Sequence, residues 1–432
     1  MARHRNHAPE VNINLNVRGL TVSPTLAIQE LSDQLRREGR EIFRLGLGQS
    51  PFPVPRPVIE ALQVNAYQKD YLPVKGLPLL REAVAEYYRR RHHLPSTGDD
   101  VIIGPGSKEL LFLLQIVYYG ELVVPSPGWV SYVPQAQIVG RTVRWVQTRA
   151  DHHWKLMPDE FAALLRSDPF RPRIIIINYP NNPTGGTYTA DDLRALARIA
   201  REHKILVLSD EIYGELHFKG QHVSIARFYP EGTIISGGLS KWCGAGGWRL
   251  GAFCFPKELR WLLDAMAVVA SETYTSTSAP IQYAAVRAFR GGNRIESYLW
   301  NSRRLLRELA RTMVRGLESC GLRVVPPAGA FYVFPDFVEH RDRLAGRGIV
   351  TSDDLCRRLL ADTGVAMLPG TAFGRPPEEL TVRIAYVDFD GARALSAVEH
   401  MGPEGVIDAE FLGLYCANVL EALNRLAGWL SD

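Results

Sequence analysis

Ser236-Gly237-Gly238-Leu239-Ser240-Lys241-Trp242-Cys243-Gly244-Ala245-Gly246-Gly247-Trp248-Arg249-Leu250-Gly251 sets the reading of the whole chain. The apolar run Thr233-Ile234-Ile235 leads into it as a buried strand would. A lysine then stands in a Gly/Ser loop, and an arginine follows eight residues later. A lysine shielded from bulk water loses basicity and acts as an amine nucleophile toward carbonyl compounds. The planar fork of an arginine grips two phosphate oxygens at once. Glycines let a ligand come close to the backbone. Taken alone, the stretch reads equally well as a Gly-rich link between two strands, with Lys241 and Arg249 on the surface. The neighbouring stretches separate the two readings.

Upstream, an order of apolar strand, polar loop and helix repeats. Val101-Ile102-Ile103 breaks at Gly104-Pro105-Gly106-Ser107-Lys108, and an apolar helix is expected from Glu109 to Tyr119. A loop that enters a helix this way offers free N–H groups and a positive dipole end to an anion. Leu122-Val123-Val124 ends at Pro125-Ser126-Pro127-Gly128-Trp129. The isoleucine run Ile174 to Ile177 ends at Asn178-Tyr179-Pro180-Asn181-Asn182-Pro183-Thr184-Gly185. A helix follows with Thr189 as its N-cap and Asp192 three residues on. Ile205-Leu206-Val207-Leu208 ends at Ser209-Asp210-Glu211-Ile212-Tyr213. Continuous apolar strands alternating with helices predict an α/β fold, its central sheet mostly parallel and covered by helices on both faces. Ligands of such sheets sit beyond the carboxyl ends of the strands. Each of these polar clusters falls at such an end.

The flanks are different. Residues 1–12 read as a polar arm, and 25–39 carry a helical pattern closed by Gly39. The segment from Phe43 to Pro55 is a short strand breaking into a Pro/Gly loop that contains Gly48. Asp70-Tyr71-Leu72-Pro73-Val74-Lys75-Gly76 reads as a turn-rich connector. A long helix from Ile295 to Cys320 carries Leu305, Leu309, Met313 and Leu317 on one stripe. Beyond it, Arg323-Val324-Val325, Ala330 to Phe334 and Thr381 to Tyr386 read as strands, with a helix near 353–363. These make a smaller α+β region, and 408–430 is expected to be one amphipathic helix.

Composition excludes several classes. The 432 residues are 46% hydrophobic and 22% charged, an ordinary globular balance. A net charge of +4 is too weak to argue for nucleic acid or a membrane surface. The basic run Arg89-Arg90-Arg91-His92-His93 reads as the solvated end of a helix. Five scattered cysteines without CxxC spacing argue against a disulfide framework or a zinc site and suit a reducing compartment. No metal is expected; His152-His153 and the N-terminal histidines read as surface. The first residues contain no apolar core of a signal peptide, and no run of about 18 apolar residues spans a membrane, so a cytoplasmic location is expected.

Pyridoxal 5′-phosphate (PLP) needs a lysine for its aldehyde, a carboxylate at its pyridine nitrogen and hydrogen bonds to its ring hydroxyl. It also needs a flat neighbour and a phosphate cradle. Lys241 and Asp210 can supply the first two. Tyr213 and Asn182 can bond the hydroxyl, and Trp129 can stack. Ser107, the Lys108 backbone and Arg249 can hold the phosphate.

Over roughly residues 20–400 the sequence resembles the class I/II aminotransferases, fold-type I PLP enzymes. The resemblance is carried by Asn182-Pro183-Thr184-Gly185, Ser209-Asp210-Glu211-Ile212-Tyr213, Ser240-Lys241, Gly247-Trp248-Arg249-Leu250-Gly251, Asp70-Tyr71 with Gly76, and Val382-Arg383-Ile384. It implies that Lys241 forms the internal aldimine and is the general base, and that Asp210 pairs with the pyridine nitrogen. Asn182 and Tyr213 would bond the ring hydroxyl, with Trp129 stacked and Ser240 and Arg249 at the cofactor. Arg383 would grip the substrate α-carboxylate, and Gly48 would lie along the substrate. Tyr71 would reach the phosphate of a neighbouring subunit, implying a homodimer with shared sites. The expected division is 1–50 as arm and part of the smaller domain, 51–300 as the PLP-binding domain, and 301–432 as the small C-terminal domain with its terminal helix.

The implied reaction moves an amino group from an α-amino acid to a 2-oxo acid. A β-elimination lyase or a synthase step on the same scaffold is the alternative, since Lys241 and Asp210 would serve either. Two departures stand out. Gly238 occupies a position where the family usually has a phosphate-binding Ser or Thr. No arginine occurs in 268–280, where the aspartate-specific branch carries one for the distal carboxylate. Lys108 could replace it, while Trp129, Tyr132 and Tyr274 could accept a neutral or aromatic side chain. Tyr132 and Trp248 read as packing, and Cys243 as a small buried hydrophobe. A nicotinamide-binding Rossmann protein is set aside because Gly104-Pro105-Gly106-Ser107-Lys108-Glu109 lacks the last glycine of GxGxxG. A PLP-dependent transcription regulator would need a helix-turn-helix domain ahead of residue 20.

Overall fold

The computed structural model describes residues 12–431 apart from 167 and 170, so most of the expected polar arm lies outside the described residues. Twelve strands occur in chain order among them. They are β1 (Phe43–Arg44), β2 (Val101–Gly104), β3 (Glu121–Ser126), β4 (Val143–Gln147), β5 (Arg173–Asn178) and β6 (Leu206–Asp210). Then follow β7 (Thr233–Gly238), β8 (Gly251–Cys254), β9 (Tyr332–Val333), β10 (Val365–Ala366), β11 (Leu368–Pro369) and β12 (Val382–Ala385). Seven form one sheet in the order β2-β8-β7-β6-β5-β3-β4.

That sheet is parallel except for β8, which runs against both β7 and β2. The carboxyl ends of β2, β3, β5, β6 and β7 therefore share one edge with the start of β8. The isoleucines of β5 show why the sheet is buried on both sides. Ile174 and Ile176 enter one apolar cluster with the helices Ser107–Val117 and Arg260–Glu272. Ile175 and Ile177 enter another with Pro158–Arg166 and Ala190–Glu202. A period of two with both phases apolar is what a covered sheet requires. The helix Ala190–Glu202 starts where expected: Thr189 and Asp192 form a reciprocal capping box.

The two flanks meet. β1 pairs in parallel with β10, so residues just ahead of the sheet join a strand more than 300 residues later. β11, β12 and β9 form a separate antiparallel sheet, and the Ala385 amide donates to the Leu45 carbonyl at 2.8 Å. The helix Asn293–Ser319 buries the expected stripe of Leu305, Leu309, Met313 and Leu317.

Three expectations are corrected. Arg323-Val324-Val325 is not a strand: only Arg323 bridges, to Asp336. The tail is two helices, Ala409–Tyr415 and Ala417–Ser431, broken at Cys416. Cys416 is fully buried with φ −125°, so packing takes it out of the helix while the apolar period continues on either side. The helix after β2 runs Ser107–Val117 and not 109–119, which makes Ser107 and Lys108 its first residues.

Candidate active site

The shared strand edge gathers side chains from distant parts of the chain. Lys241 follows β7, and its Nζ donates to the Gly48 carbonyl at 2.8 Å. That contact brings the N-terminal segment onto the sheet edge. Burial first, then the positive charges of Arg383 and Arg249, lower the Lys241 pKa to about 8 against the pull of Asp210. At pH 7 about a tenth of such amines are neutral, against roughly one in 3,000 at the ordinary lysine value.

Asp210 ends β6 and is buried. Its Oδ2 accepts from Tyr132 Oη at 2.6 Å and its Oδ1 from Ser236 Oγ at 3.2 Å. Burial raises its pKa, while Tyr132, the Ile212 amide and Ser236 oppose the rise. All these partners are neutral donors. Tyr132 thus corrects its reading as packing: its ring does pack edge-on against Trp129, centroids 5.3 Å apart, but its hydroxyl aims the carboxylate.

Arg383 on β12 is 0% exposed. Its guanidinium donates to Asn182 Oδ1 at 3.0 Å and to the Gly46 carbonyl, and lies between the rings of Tyr332 and Phe373. No carboxylate pairs with it among the described residues. With the Asn182 oxygen taken by Arg383, the amide nitrogen of Asn182 is left to donate elsewhere. Asn182 is itself placed by its backbone N–H donating to Asn178 Oδ1 at 2.7 Å. Tyr213 is buried, and its hydroxyl lies 2.7 Å from that of Tyr332 on β9. In the sequence Tyr332 is visible only as part of a strand.

Gly106, Ser107, Lys108 and Arg249 come together beside this group. Gly106 has φ +94°, and a Cβ there would lie 2.3 Å from Arg249 Nη2. A Cβ on Gly251 would lie 2.2 Å from the Ser107 amide. Both glycines are needed for the first turn of the helix Ser107–Val117 to stand against the arginine loop. Arg249 has φ +52°, a conformation that a side-chain-bearing residue adopts at a cost, and its Nη1 donates to Gly246 O at 2.9 Å. Lys108 Nζ stands 5.2 Å from the Trp129 ring, and burial lowers its pKa, with Arg249 adding to the effect. At Gly238, a Cβ would lie 2.7 Å from the Leu250 carbonyl, so the missing hydroxyl has no room there.

Ser240 flanks the lysine and is partly buried. Tyr71 stays outside this group within one chain, 88% exposed. Tyr274 donates to the Ile103 carbonyl at 3.2 Å, and Cys243 is buried. A second polar cluster lies next to Asp210 in sequence. Glu211 Oε2 meets His222 Nε2 at 2.9 Å and His92 Nε2 at 3.5 Å, and its Oε1 accepts from Ser209 and Ser224. Burial would raise the Glu211 pKa, but His222, His92 and Ser224 outweigh it and hold it at about 2. His92 thereby departs from the solvated basic run around it: it is buried, because the helix Pro78–His92 turns that position toward Glu211. Nothing in the sequence joins the two histidines, since 130 residues separate them.

The model of the family "Aminotransferase class I and II" matches residues 40–397. The chain belongs to the class I and II aminotransferases. An aspartate aminotransferase of Geobacillus stearothermophilus is 34% identical over 393 residues, covering 89% of this chain and 95% of that protein. An aspartate/prephenate aminotransferase of Thermus thermophilus is 34% identical over 366 residues, covering 84% and 91%. Among solved structures, a Thermus thermophilus aspartate aminotransferase with maleate superposes with a TM-score of 0.83 at 31% identity, covering 97% of this chain and all of that one. The chain is a PLP-dependent aminotransferase with the fold-type I architecture. No helix among the described residues is long and apolar enough to cross a membrane.

The aminotransferase suits its cofactor in its own geometry. Asp210 is a buried carboxylate without a cationic partner among the described residues, as a protonated pyridine nitrogen requires. The Gly106 and Gly251 approach leaves backbone N–H groups and Arg249 for a phosphate. The Asn182 side-chain nitrogen and the Tyr213 hydroxyl are polar groups of the kind a ring oxygen would need beside it.

Proposed function

We propose that Arg383 and Asp210 are the two charges between which this enzyme holds an amino acid on its cofactor. The observation that carries the reading is that both are buried without a counter-ion among the described residues. An unpaired buried charge costs several kcal/mol, about 3–5 when a partner is removed. A ligand with an anionic end for Arg383 and a cationic ring for Asp210 satisfies both.

Bound PLP withdraws electrons from the substrate α-carbon. The protein does the rest. Arg383 fixes the α-carboxylate through its planar fork, and Gly48 lies along the substrate. Lys241 would hold the cofactor's aldehyde, and its lowered pKa suits its free amine to carry a proton from the substrate α-carbon. Asp210 keeps the ring nitrogen protonated. Asn182 and Tyr213 donate to the ring oxygen, and Trp129 covers the ring. Ser107, Lys108 through its backbone, Ser240 and Arg249 surround the phosphate. Residues 51–300 carry the cofactor, while 1–50 and 301–432 form the smaller unit that brings Gly48 and Arg383. The pairing of β1 with β10 supports that division. Mixing loaded enzyme with an amino acid and no oxo acid tests the reaction. One equivalent of 2-oxo acid per site with no free ammonia is expected; continuing release of ammonia together with a 2-oxo acid would favour the lyase reading.

The acceptor is a 2-oxo acid such as 2-oxoglutarate, and the donors include acidic as well as neutral or aromatic amino acids. The names of the relatives support an acidic substrate, and Lys108 is the cation placed to read it. A lysine is a mobile point charge, so this reading is looser than a bidentate arginine would give. Lys108→Ala is expected to lose about 10- to 100-fold in kcat/KM for acidic substrates, the worth of one charged hydrogen bond. Neutral donors should change far less. Equal losses for both would confine Lys108 to the phosphate loop.

The enzyme works as a homodimer with Tyr71 of each subunit at the other's phosphate. Its 88% exposure within one chain, beside exposed Tyr67 and Val64, supports this. Tyr71→Ala and Lys241→Ala are each expected to be inactive, yet their hybrid carries one intact site. Equal mixing should restore roughly a quarter of wild-type activity. No recovery after verified subunit exchange would place Tyr71 in its own site or in none. The five cysteines are free thiols, which supports a cytoplasmic location.

A further inference from the structure

Tyr332 sits where the carboxylate end of the site meets the ring-oxygen end. It is 0% exposed, on β9 of the smaller sheet. Its hydroxyl is 2.7 Å from Tyr213 Oη, with the rings edge-on and 5.6 Å between centroids. The Arg383 guanidinium lies 4.8 Å from its ring centroid. Gly48 is held against it so closely that a Cβ there would be 1.9 Å from its Oη. A cation against its ring and a hydrogen bond at its tip put Tyr332 in direct contact with both Arg383 and Tyr213.

The direction of the bond between the hydroxyls follows from proton counting. A phenol has one hydrogen to donate and two places to accept. If Tyr213 spends its hydrogen on the ring oxygen, the 2.7 Å contact is a hydrogen bond only when Tyr332 donates. A chain of donors polarises each member, so Tyr213 donates more strongly than it would alone. Burial raises the Tyr332 pKa, and the nearby guanidinium charge opposes part of that rise, leaving the hydroxyl a better donor than burial alone would.

We propose that Tyr332 is a positioning residue that donates to Tyr213, strengthens its hold on the cofactor's ring oxygen and carries Arg383 on its ring. The inference rests on Tyr213 facing that oxygen, and its test separates the two claims. The readout is the pH midpoint of the visible band of the loaded enzyme, followed by titration without turnover. Donors to the ring oxygen favour the unprotonated chromophore, in which that oxygen has no adjacent proton to share its charge. Losing a donor therefore moves the midpoint up. Tyr213→Phe should shift it by about 1–2 pH units, the worth of a charge-assisted hydrogen bond. Tyr332→Phe keeps the ring and should shift it by about 0.1–0.6 unit in the same direction, from the cooperative share of that bond. In a Tyr213→Phe background the second substitution should add nothing. KM for the amino acid should stay near wild type in Tyr332→Phe and rise in Tyr332→Leu, which removes the support under Arg383.

Each other outcome overturns something definite. No shift in Tyr213→Phe removes Tyr213 from the ring oxygen and this inference with it. A shift in Tyr213→Phe with none in Tyr332→Phe rejects the inference alone. An equal shift from Tyr332→Phe in both backgrounds means that Tyr332 acts on the cofactor without Tyr213. PLP affinity of each apo variant, measured by fluorescence, confirms that the variants bind cofactor as folded proteins.

Discussion

Lys241→Ala leaves a folded protein with no lysine-bound chromophore and no measurable transamination. The loss is at least the 10²–10⁴-fold typical of a general base, and larger because the same amine holds the aldehyde. Stability separates this from misfolding. The lysine pKa is about 8 in the fold, below its ordinary value. The unfolded chain therefore binds more protons between about pH 8 and 10.5, and the native amine costs stability below that window. The cost disappears as pH rises through it. The apo variant should melt no lower than apo wild type at pH 7, and any advantage should vanish above about pH 10.5. Binding of PLP by apo wild type should quicken with pH through a midpoint near 8, as the neutral amine fraction grows. Turnover within tenfold of wild type would remove Lys241 from its role. A midpoint near 10.5 would mean that the surrounding charges do not reach the amine.

Asp210→Asn is expected to bind PLP yet lose about 10²- to 10⁴-fold in kcat, the equivalent of roughly 3–5 kcal/mol. The substitution is nearly isosteric: its carbonyl oxygen can still accept from Tyr132 in place of Oδ2, while the NH2 in place of Oδ1 faces the Ser236 hydroxyl, which can rotate to accept. The side chain's place is thus kept while its charge is removed. The raised pKa of Asp210 points the same way, because burial penalises its ionised form. When a cation is supplied, that penalty becomes attraction, which is how a buried carboxylate holds a ring nitrogen protonated. Near-normal kinetics in the variant would assign ring protonation to another group. Tyr132→Phe should fall between the two, since it frees the carboxylate from one of its donors without discharging it.

How much of this is open to reading from the chain depends on where each signal lives. The sheet is legible because its strands are continuous apolar runs with loops at their ends. The four isoleucines of β5 leave no other placement than one buried on both faces. The edge strand β4, with Arg144 and Gln147 and only Val146 fully covered, carries no such run and cannot be recognised. Lys241, Asp210, Asn182 and Arg249 are legible because each lies within a few residues of a strand end. The parallel order then delivers them to one edge whatever the packing details. Arg383 can be assigned from sequence only through resemblance, since nothing local marks an arginine on a short strand as a ligand.

What needs the tertiary structure is whatever depends on two distant segments arriving together. Tyr132 reads as packing in sequence because its partner Asp210 lies 78 residues away. Tyr332 is unmarked because Tyr213 is 119 residues away and in the other sheet's territory. The cluster at Glu211, the refusal of a side chain at Gly238 and the break at Cys416 are likewise products of close packing. A hydrophobic period is a one-dimensional signal and survives in the sequence; a hydrogen bond between remote hydroxyls does not, because its energy depends on an ångström-scale distance that only the folded chain sets.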